Sequence, residues 1–482
     1  MTTSTLRAAA PAAPAGAGTA PRGLLPVMLT ATFMTALDFF IVNVAIPSMQ
    51  VDLRAGASAI QWIVAAFGLA LAAALITAGR IGDIAGRRRI FGLGLTLFTL
   101  SSAACGLAPT VGVLIAARAV QGLSAALMGP QVLVILQTAY QGAAQAKAFA
   151  MYGLTMGIGA VFGQLIGGVL IRADLFGLDW RSCFLINVPV GIATLVLIPR
   201  VVPESRAPQR PRLDLTGVAL VTAALVTLVL PLIQGRAQGW PEWTWVCLAG
   251  SAVLFTVFGV HQHRASGRDG LPLVHTGLFR ERAFSAGSLA QLAFWLGQGS
   301  FFLILALYLQ QGRGLDALAS GVVFTVIGGG YLVTSMTAHR LAARLGRRVL
   351  TVGALLMALG LGLLWLAVGE LGTGGGTAGV AWLAPGLLVD GLGMGMVIAP
   401  LTGTVLSRVD RQLAGSASGV LATTQQVAGA LGIALIGIVF YGALGNGSPD
   451  RFPHAFQLGL ASLAGVELVL AGLVQLLPRR AS

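Results

Sequence analysis

Four ionisable side chains stand inside long apolar runs of this chain: Asp38, Arg118, Asp390 and Glu467. A charge at membrane depth costs several kcal/mol, so such groups face a cavity or a partner and mark routes for ions or protons. At a rise of ~1.5 Å per residue, Asp38 lies about 20 Å from either end of its run, and Asp390 and Glu467 also fall near the middle of theirs. Removing a carboxylate from water disfavours its charged form, so an acid at this depth can load and release a proton near neutral pH, while a neighbouring arginine favours the charged form. The chemistry expected is therefore proton exchange at Asp38, with Arg118 tuning it. Asp390 serves equally as a proton site, a site for a cationic substrate, or a packing partner.

Other chemistries lack their residues. Cys105, Cys183 and Cys247 have unrelated spacings and no nearby histidine, and the five histidines fall in loops or at the ends of apolar runs. Neither a disulfide framework nor a metal site fits that pattern. A membrane-embedded enzyme, such as an acyltransferase, needs a His, Ser or Cys constellation near a membrane face, and none is legible. Without a glycine-rich Walker motif, the expectation is no cofactor and no ATP, with a proton gradient as the energy source.

The elements that hold these residues follow from composition. Of 482 residues 56% are hydrophobic and only 10% charged, whereas about a quarter of the residues of a soluble domain are charged. Runs of about 20 apolar residues, the length of a bilayer span, number fourteen, from 24–49 to 456–477. Residues 1–22 read as a disordered cytoplasmic tail rich in Ala, Pro, Thr and Gly, and 479–482 as a second short tail. The net charge of +14 does not imply nucleic acid, because the arginines cluster between apolar runs. With a cytoplasmic N-terminus, 23 basic residues fall in cytoplasmic loops and tails and 6 in the opposite loops. That bias is the one that orients helices in a cell membrane, and it places both termini in the cytoplasm.

Arg80-Ile81-Gly82-Asp83-Ile84-Ala85-Gly86-Arg87-Arg88 returns 260 residues later as Arg340-Leu341-Ala342-Ala343-Arg344-Leu345-Gly346-Arg347-Arg348. Each copy follows the second run of a six-run block. Residues 23–201 and 285–478 thus read as parallel six-helix halves, with 202–284 a linker carrying two inserted helices. Parallel repeats around a central site are a transporter architecture. Only the first copy has an acid, since Ala343 stands where Asp83 does.

The segment Leu37-Asp38-Phe39-Phe40-Ile41-Val42-Asn43-Val44-Ala45-Ile46-Pro47 resembles the first-helix motif of the fourteen-helix drug:proton antiporters of the major facilitator superfamily, with Phe40 where the family has Thr. Gln61 to Phe67, Gly79 to Arg88, Leu114 to Ala126 around Arg118, Trp180 to Pro189, and Gly415 to Gly432 resemble later motifs in the same order. The resemblance implies an all-α major facilitator fold and proton-driven efflux of drug-like, apolar or cationic molecules by alternating access. It implies a gating loop at Gly79, Asp83, Gly86, Arg87 and Arg88. It gives Glu467 no role, which leaves that acid a structural reading. Gly153, Gly157, Gly159, Gly163 and Gly167 recur at four-residue steps in the fifth run, where small residues allow close helix packing; Gln164 replaces the family's proline there. Gln291, Phe294, Trp295, Gln298 and Phe302 share a helical face suited to a drug-sized ligand. Phe39, Asn43, Gln121, Gln425 and Gln426 are further lining candidates. The alternatives on the same fold are a dedicated exporter of one endogenous metabolite and a proton symporter. The partners expected are a small molecule, protons and the bilayer.

Overall fold

The computed structural model describes residues 21–206, 214–266, 273–372, 376, 379–406, 409, 414–445 and 448–477. Most of both tails lies outside these residues, as do the side chains of His339, Arg340, Ala342 and Ala343 in the second copy of the basic motif. All the regular structure described is helical. In hydrocarbon no water satisfies a backbone N–H or C=O, and a helix satisfies them within itself. The spanning helices are α1 (Leu24–Asp52), α2 (Ala57–Ala85), α3 (Arg87–Gly106), α4 (Val111–Ala139), α5 (Gly142–Ala173), α6 (Asn187–Val201, entered through a short turn at Ser182–Leu185), α7 (Leu215–Gln234), α8 (Glu242–Ser266), α9 (Arg282–Leu307), α10 (Ala317–Leu345), α11 (Arg348–Leu371), α12 (Ala384–Leu406), α13 (Ala414–Leu444) and α14 (Phe452–Val474). Among the described residues, fourteen helical spans are long and apolar enough to cross a membrane.

The helices overrun the apolar runs that announced them, which corrects one expectation. The basic motif between the second and third runs is not a loop: Gly79 and Asp83 belong to the last turns of α2, and Arg87 already opens α3. Gly86 alone makes the connection, at φ 113°, a conformation a side chain resists.

Helix pairs within each half approach closely at glycines. A side chain at Gly122 of α4 would collide with the carbonyl of Phe67 in α2, and one at Gly391 of α12 would collide with the carbonyl of Ile327 in α10. Phe67 and Ile327 are 260 residues apart, so the two halves repeat the same crossing. The halves meet along two seams, α5 with α10 and α2 with α13. The inserted α7 covers the second seam, packing Leu225, Val229 and Ile233 against Ala65 and Leu69 of α2 and Ala430 and Ala434 of α13. Among the spanning helices α8 rests on α7, and it turns Trp245, Val246 and Val253, each at least 60% exposed, outward as a lipid-facing surface does.

The end of the bundle bearing Arg87–Arg89 is the basic end. Among the described residues, hydrogen bonds between the halves lie toward the other end: Gln310 donates to the Val44 carbonyl at 2.9 Å, Gln311 to Gln50 at 2.9 Å, and Gln61 to the Ile433 carbonyl at 3.4 Å, with Arg172 paired to Asp316 at 3.1 Å. The chain is thus latched at the end opposite the basic one.

Candidate functional site

Asp38 sits just over half a helix turn before Phe40 on α1, facing the interior of the N-terminal half. Its carboxylate accepts three hydrogen bonds. Oδ2 takes one from Arg118 Nη1 of α4 at 2.6 Å, and Oδ1 takes one from Gln121 Nε2 at 2.8 Å and one from Asn187 Nδ2 of α6 at 3.0 Å. Both amides also donate to Ser102 Oγ of α3, at 2.7 Å and 3.4 Å. Arg118 further donates to Gln121 Oε1 at 2.7 Å and to the Ile63 carbonyl of α2 at 3.2 Å. Its guanidinium carbon lies 4.5 Å from the centre of the Phe67 ring and 5.7 Å from that of Phe184, within the range of cation–π attraction. Asp38 and Arg118 are both 0% exposed.

The local sequence explains the cluster. Arg118 and Gln121 are three residues apart, so they share a face of α4, and Gly122 beside them lets α2 come close enough to offer its carbonyl and ring. Every group turned to Asp38 is a donor, so the site as built fits a carboxylate and has no acceptor for a carboxyl proton. Protonating Asp38 must therefore displace one donor, and Arg118 is the one whose charge would lose its counter-ion.

The expected lining residues separate. Trp295 donates to Gln291 at 2.8 Å and Gln291 to Thr402 of α12 at 2.8 Å, forming a chain within the C-terminal half. Phe294 is fully buried in the apolar core, against the edge of Trp295. Gln298 turns into the C-terminal half, beside Asp390 and Glu467. Phe302 reaches the centre, where it packs on Phe40 across the two halves (centroids 5.5 Å apart) and stacks on Phe324 of α10 (5.7 Å). Phe39 contacts Phe40 and Phe67; Asn43 donates to the Phe40 carbonyl, leaving its Oδ1 buried without a partner. Gln121 belongs to the Asp38 network. Gln426 lies at the α2–α13 seam near Gly68, and Gln425 is half-buried beside it.

Gly159, Gly163 and Gly167 seat α5 on α1: side chains there would stand 2.7 Å from Ala36 Cβ, 3.1 Å from Phe40 Cβ and 2.6 Å from Val44 Cγ1. Gly157 faces Tyr331 of α10 at 3.0 Å. Gly153 does not pack, a correction to the expected stripe. It lies one turn nearer the basic end, where nothing among the described residues comes within 4 Å of a Cβ.

At the basic end Asp83 pairs with Arg87 one turn later at 2.8 Å. Glu204, which no sequence motif announced, accepts from the backbone N–H of Arg88 at 3.1 Å and lies 3.8 Å from the guanidiniums of both Arg88 and Arg89. Ser102 and Glu204 were not foreseen, and Asn187 was visible only as part of the sixth-helix motif. Their roles depend on which helices meet, which spacing along the chain does not encode.

A profile of the Major Facilitator Superfamily matches residues 28–433. A "Probable actinorhodin transporter" of Streptomyces coelicolor is 39% identical over 455 residues, covering 93% of this chain and 76% of the relative. The "Puromycin resistance protein pur8" of Streptomyces alboniger is 35% identical, covering 94% and 90%. Among solved structures, a POT family transporter in complex with a thioalcohol conjugated peptide superimposes with a TM-score of 0.68 at 16% identity, covering 93% of this chain and 95% of that one. That likeness is one of fold.

Proposed function

Because the chain belongs to the Major Facilitator Superfamily, we propose that it exports small, largely apolar or cationic molecules of the antibiotic class across the cell membrane, driven by proton entry. The observation that carries this reading is the Asp38–Arg118 ion pair, sealed at mid-membrane and bound to α1, α2, α3, α4 and α6 together. Both termini and the basic end face the cytoplasm, supported by the excess of arginine there.

In the paired state Asp38 is ionised and α1 is locked to α4 and α6. Proton arrival from outside neutralises Asp38 and breaks its strongest bond. α1 is then free to shift against α5 along the glycine face, and Phe40, two residues on, moves with it against Phe302 of the other half. Substrate release and proton loading are linked because one helix carries both Asp38 and the central ring. The pair is buried as described, so loading belongs to another stage of the cycle, when the latched end has opened. One elementary charge crossing 100 mV supplies ~2.3 kcal/mol, enough for a roughly forty-fold gradient of cargo at 1.4 kcal/mol per decade. Asp83, Arg87 and Glu204 steady the closed turn between α2 and α3 during that movement.

The relatives' names refer to single compounds, actinorhodin and puromycin, which favours a dedicated antibiotic exporter as the narrower version of this reading. Everted vesicles with an acid interior test both, with puromycin and ethidium as probes. Acid-driven uptake of at least one probe is expected, and its loss in Asp38→Asn. Uptake that survives Asp38→Asn at the wild-type rate would refute the mechanism. Uptake only when the pH step is reversed would establish symport instead.

A further inference from the structure

The C-terminal half holds two acids that the Asp38 network does not use. α9, α11, α12 and α14 close around a narrow gap faced by Gln298, Asp390 and Glu467, with Leu361 and Leu463 as its apolar wall. Asp390 and Glu467 are each 1% exposed. Asp390 Oδ2, Glu467 Oε2 and Gln298 Oε1 are buried with no hydrogen-bond partner among the described residues. Among the described residues no ion pair reaches either acid. The other titratable side chains on these four helices are Arg282, Arg348, Glu370 and His454, all in their first or last turns. Gly297 lies against the Glu467 carboxyl: a Cβ there would stand 2.9 Å from Glu467 Oε1, close enough that the Glu467 side chain would have to shift.

The repeat shows what has changed between the halves. Gln298 stands 260 residues after Asp38. Gly122 and Gly391, pressed on the matching carbonyls of Phe67 and Ile327, bring Gln121 into register with Asp390 and Arg118 with Leu387. The first half thus has an acid on its first helix and an amide on its fourth. In the second half the amide is on the first helix and the acid on the fourth, and the sixth helix carries Glu467, whereas the sixth helix of the first half carries Asn187. The arginine is gone.

Three residues that line one gap each keep a buried acceptor oxygen without a partner, and two buried carboxylates without a cation would repel each other at low dielectric. An inorganic cation needs six or so oxygen ligands at more than about 2 Å, and this gap does not admit even a water molecule. A proton needs no room. We propose that Asp390 and Glu467 form a second proton-binding site, holding a shared proton that Gln298 helps to fix, and that the carrier moves this proton in addition to the one at Asp38. The site's occupancy stands apart from the export reading, while its place in the cycle rests on that reading.

Infrared spectroscopy of the full-length protein in lipid nanodiscs separates the two. At pH 7.5 the wild type should show the C=O stretch of a protonated carboxyl. That band should vanish in the Asp390→Asn/Glu467→Gln double variant and persist in Asp38→Asn. A band of equal size in the wild type and the double variant, or none in the wild type, would overturn the site. Both amides copy the shape and neutrality of a protonated acid, so the double variant should fold. As a second reading that keeps both acids, Gly297→Ala should shift the band by pushing on Glu467, and an unmoved band would count against the assignment. In vesicles that take up puromycin, the ratio of protons to puromycin should fall by one in the double variant; an unchanged ratio would overturn the coupled role. Failure of all probe uptake would undermine the export reading but leave the infrared result to decide the site.

Discussion

Neutralising the buried ion pair one partner at a time, and then both together, should separate stability from coupling. In Asp38→Asn the replacement presents an N–H where the carboxylate had an acceptor. Three donors converge there from Arg118, Gln121 and Asn187, and the amide can serve only those on its oxygen side. Removing one member of a buried pair costs roughly 3–5 kcal/mol. A retained bond from Arg118 to the new amide oxygen, about 1.5–3 kcal/mol for a charged group, and the Phe67 and Phe184 faces place this variant near the lower bound. Arg118→Gln strands the carboxylate instead, with only the two amides, and should cost about as much. The double variant Asp38→Asn/Arg118→Gln removes both charges, and neutral side chains can hydrogen-bond in the same space. Its loss should be about 1–2 kcal/mol, because replacing a buried pair outright is often close to neutral. Unfolding in graded denaturing detergent, followed by circular dichroism, gives the cycle, and a coupling energy of at least ~2 kcal/mol is expected. Acid-driven uptake should be lost in all three variants, the restored one included. A coupling energy below about 0.5 kcal/mol, or proton-driven uptake recovered along with stability, would refute the reasoning.

Two further expectations concern packing and pH. Gly391→Ala should destabilise by about 1–3 kcal/mol through overpacking on the Ile327 carbonyl, whereas Gly153→Ala should be neutral or gain up to ~1 kcal/mol from helix propensity; equal effects in the same unfolding assay would contradict the assigned glycine packing. At the start of α7, burial pushes the Asp214 carboxyl up, but hydrogen bonds from His261, the Gly217 N–H and Gln262 outweigh it and hold it below the ordinary carboxylate range. A depressed acid contributes stability above its unfolded value of about 3.9 and loses it as pH falls through the folded value. Asp214→Ala should therefore be less stable than wild type at pH 7, and the gap should close only below about pH 4. A gap that closes between pH 6 and 8 instead would contradict that placement.

The membrane class, the helix count, the repeat and the single acid most worth testing were all legible without coordinates. Hydrocarbon demands long apolar runs, and a charge inside one is too costly to be incidental, so Asp38 and Arg118 declared themselves by type and depth alone. The segment from Gly79 to Arg88 reads as a loop, and the structure shortens that loop to Gly86, with α2 and α3 extending up to it on either side. The stripe through Gln291, Phe294, Trp295, Gln298 and Phe302 was legible only as a stripe. Helical periodicity tells which residues share a side, and it does not tell which neighbour that side meets.

What the tertiary structure decided is who faces whom. Asp38 meets Arg118 and Asn187 across 80 and 149 residues of chain, and Asp390 finds Glu467 and Gln298 because four helices converge on one gap. Those encounters depend on helix rotation and crossing, set by close contacts such as Gly122 on Phe67 and Gly391 on Ile327. A sequence fixes the burial of a residue through its own chemistry. The partner it is buried against is a joint property of helices far apart in the chain, and it exists only once they have packed.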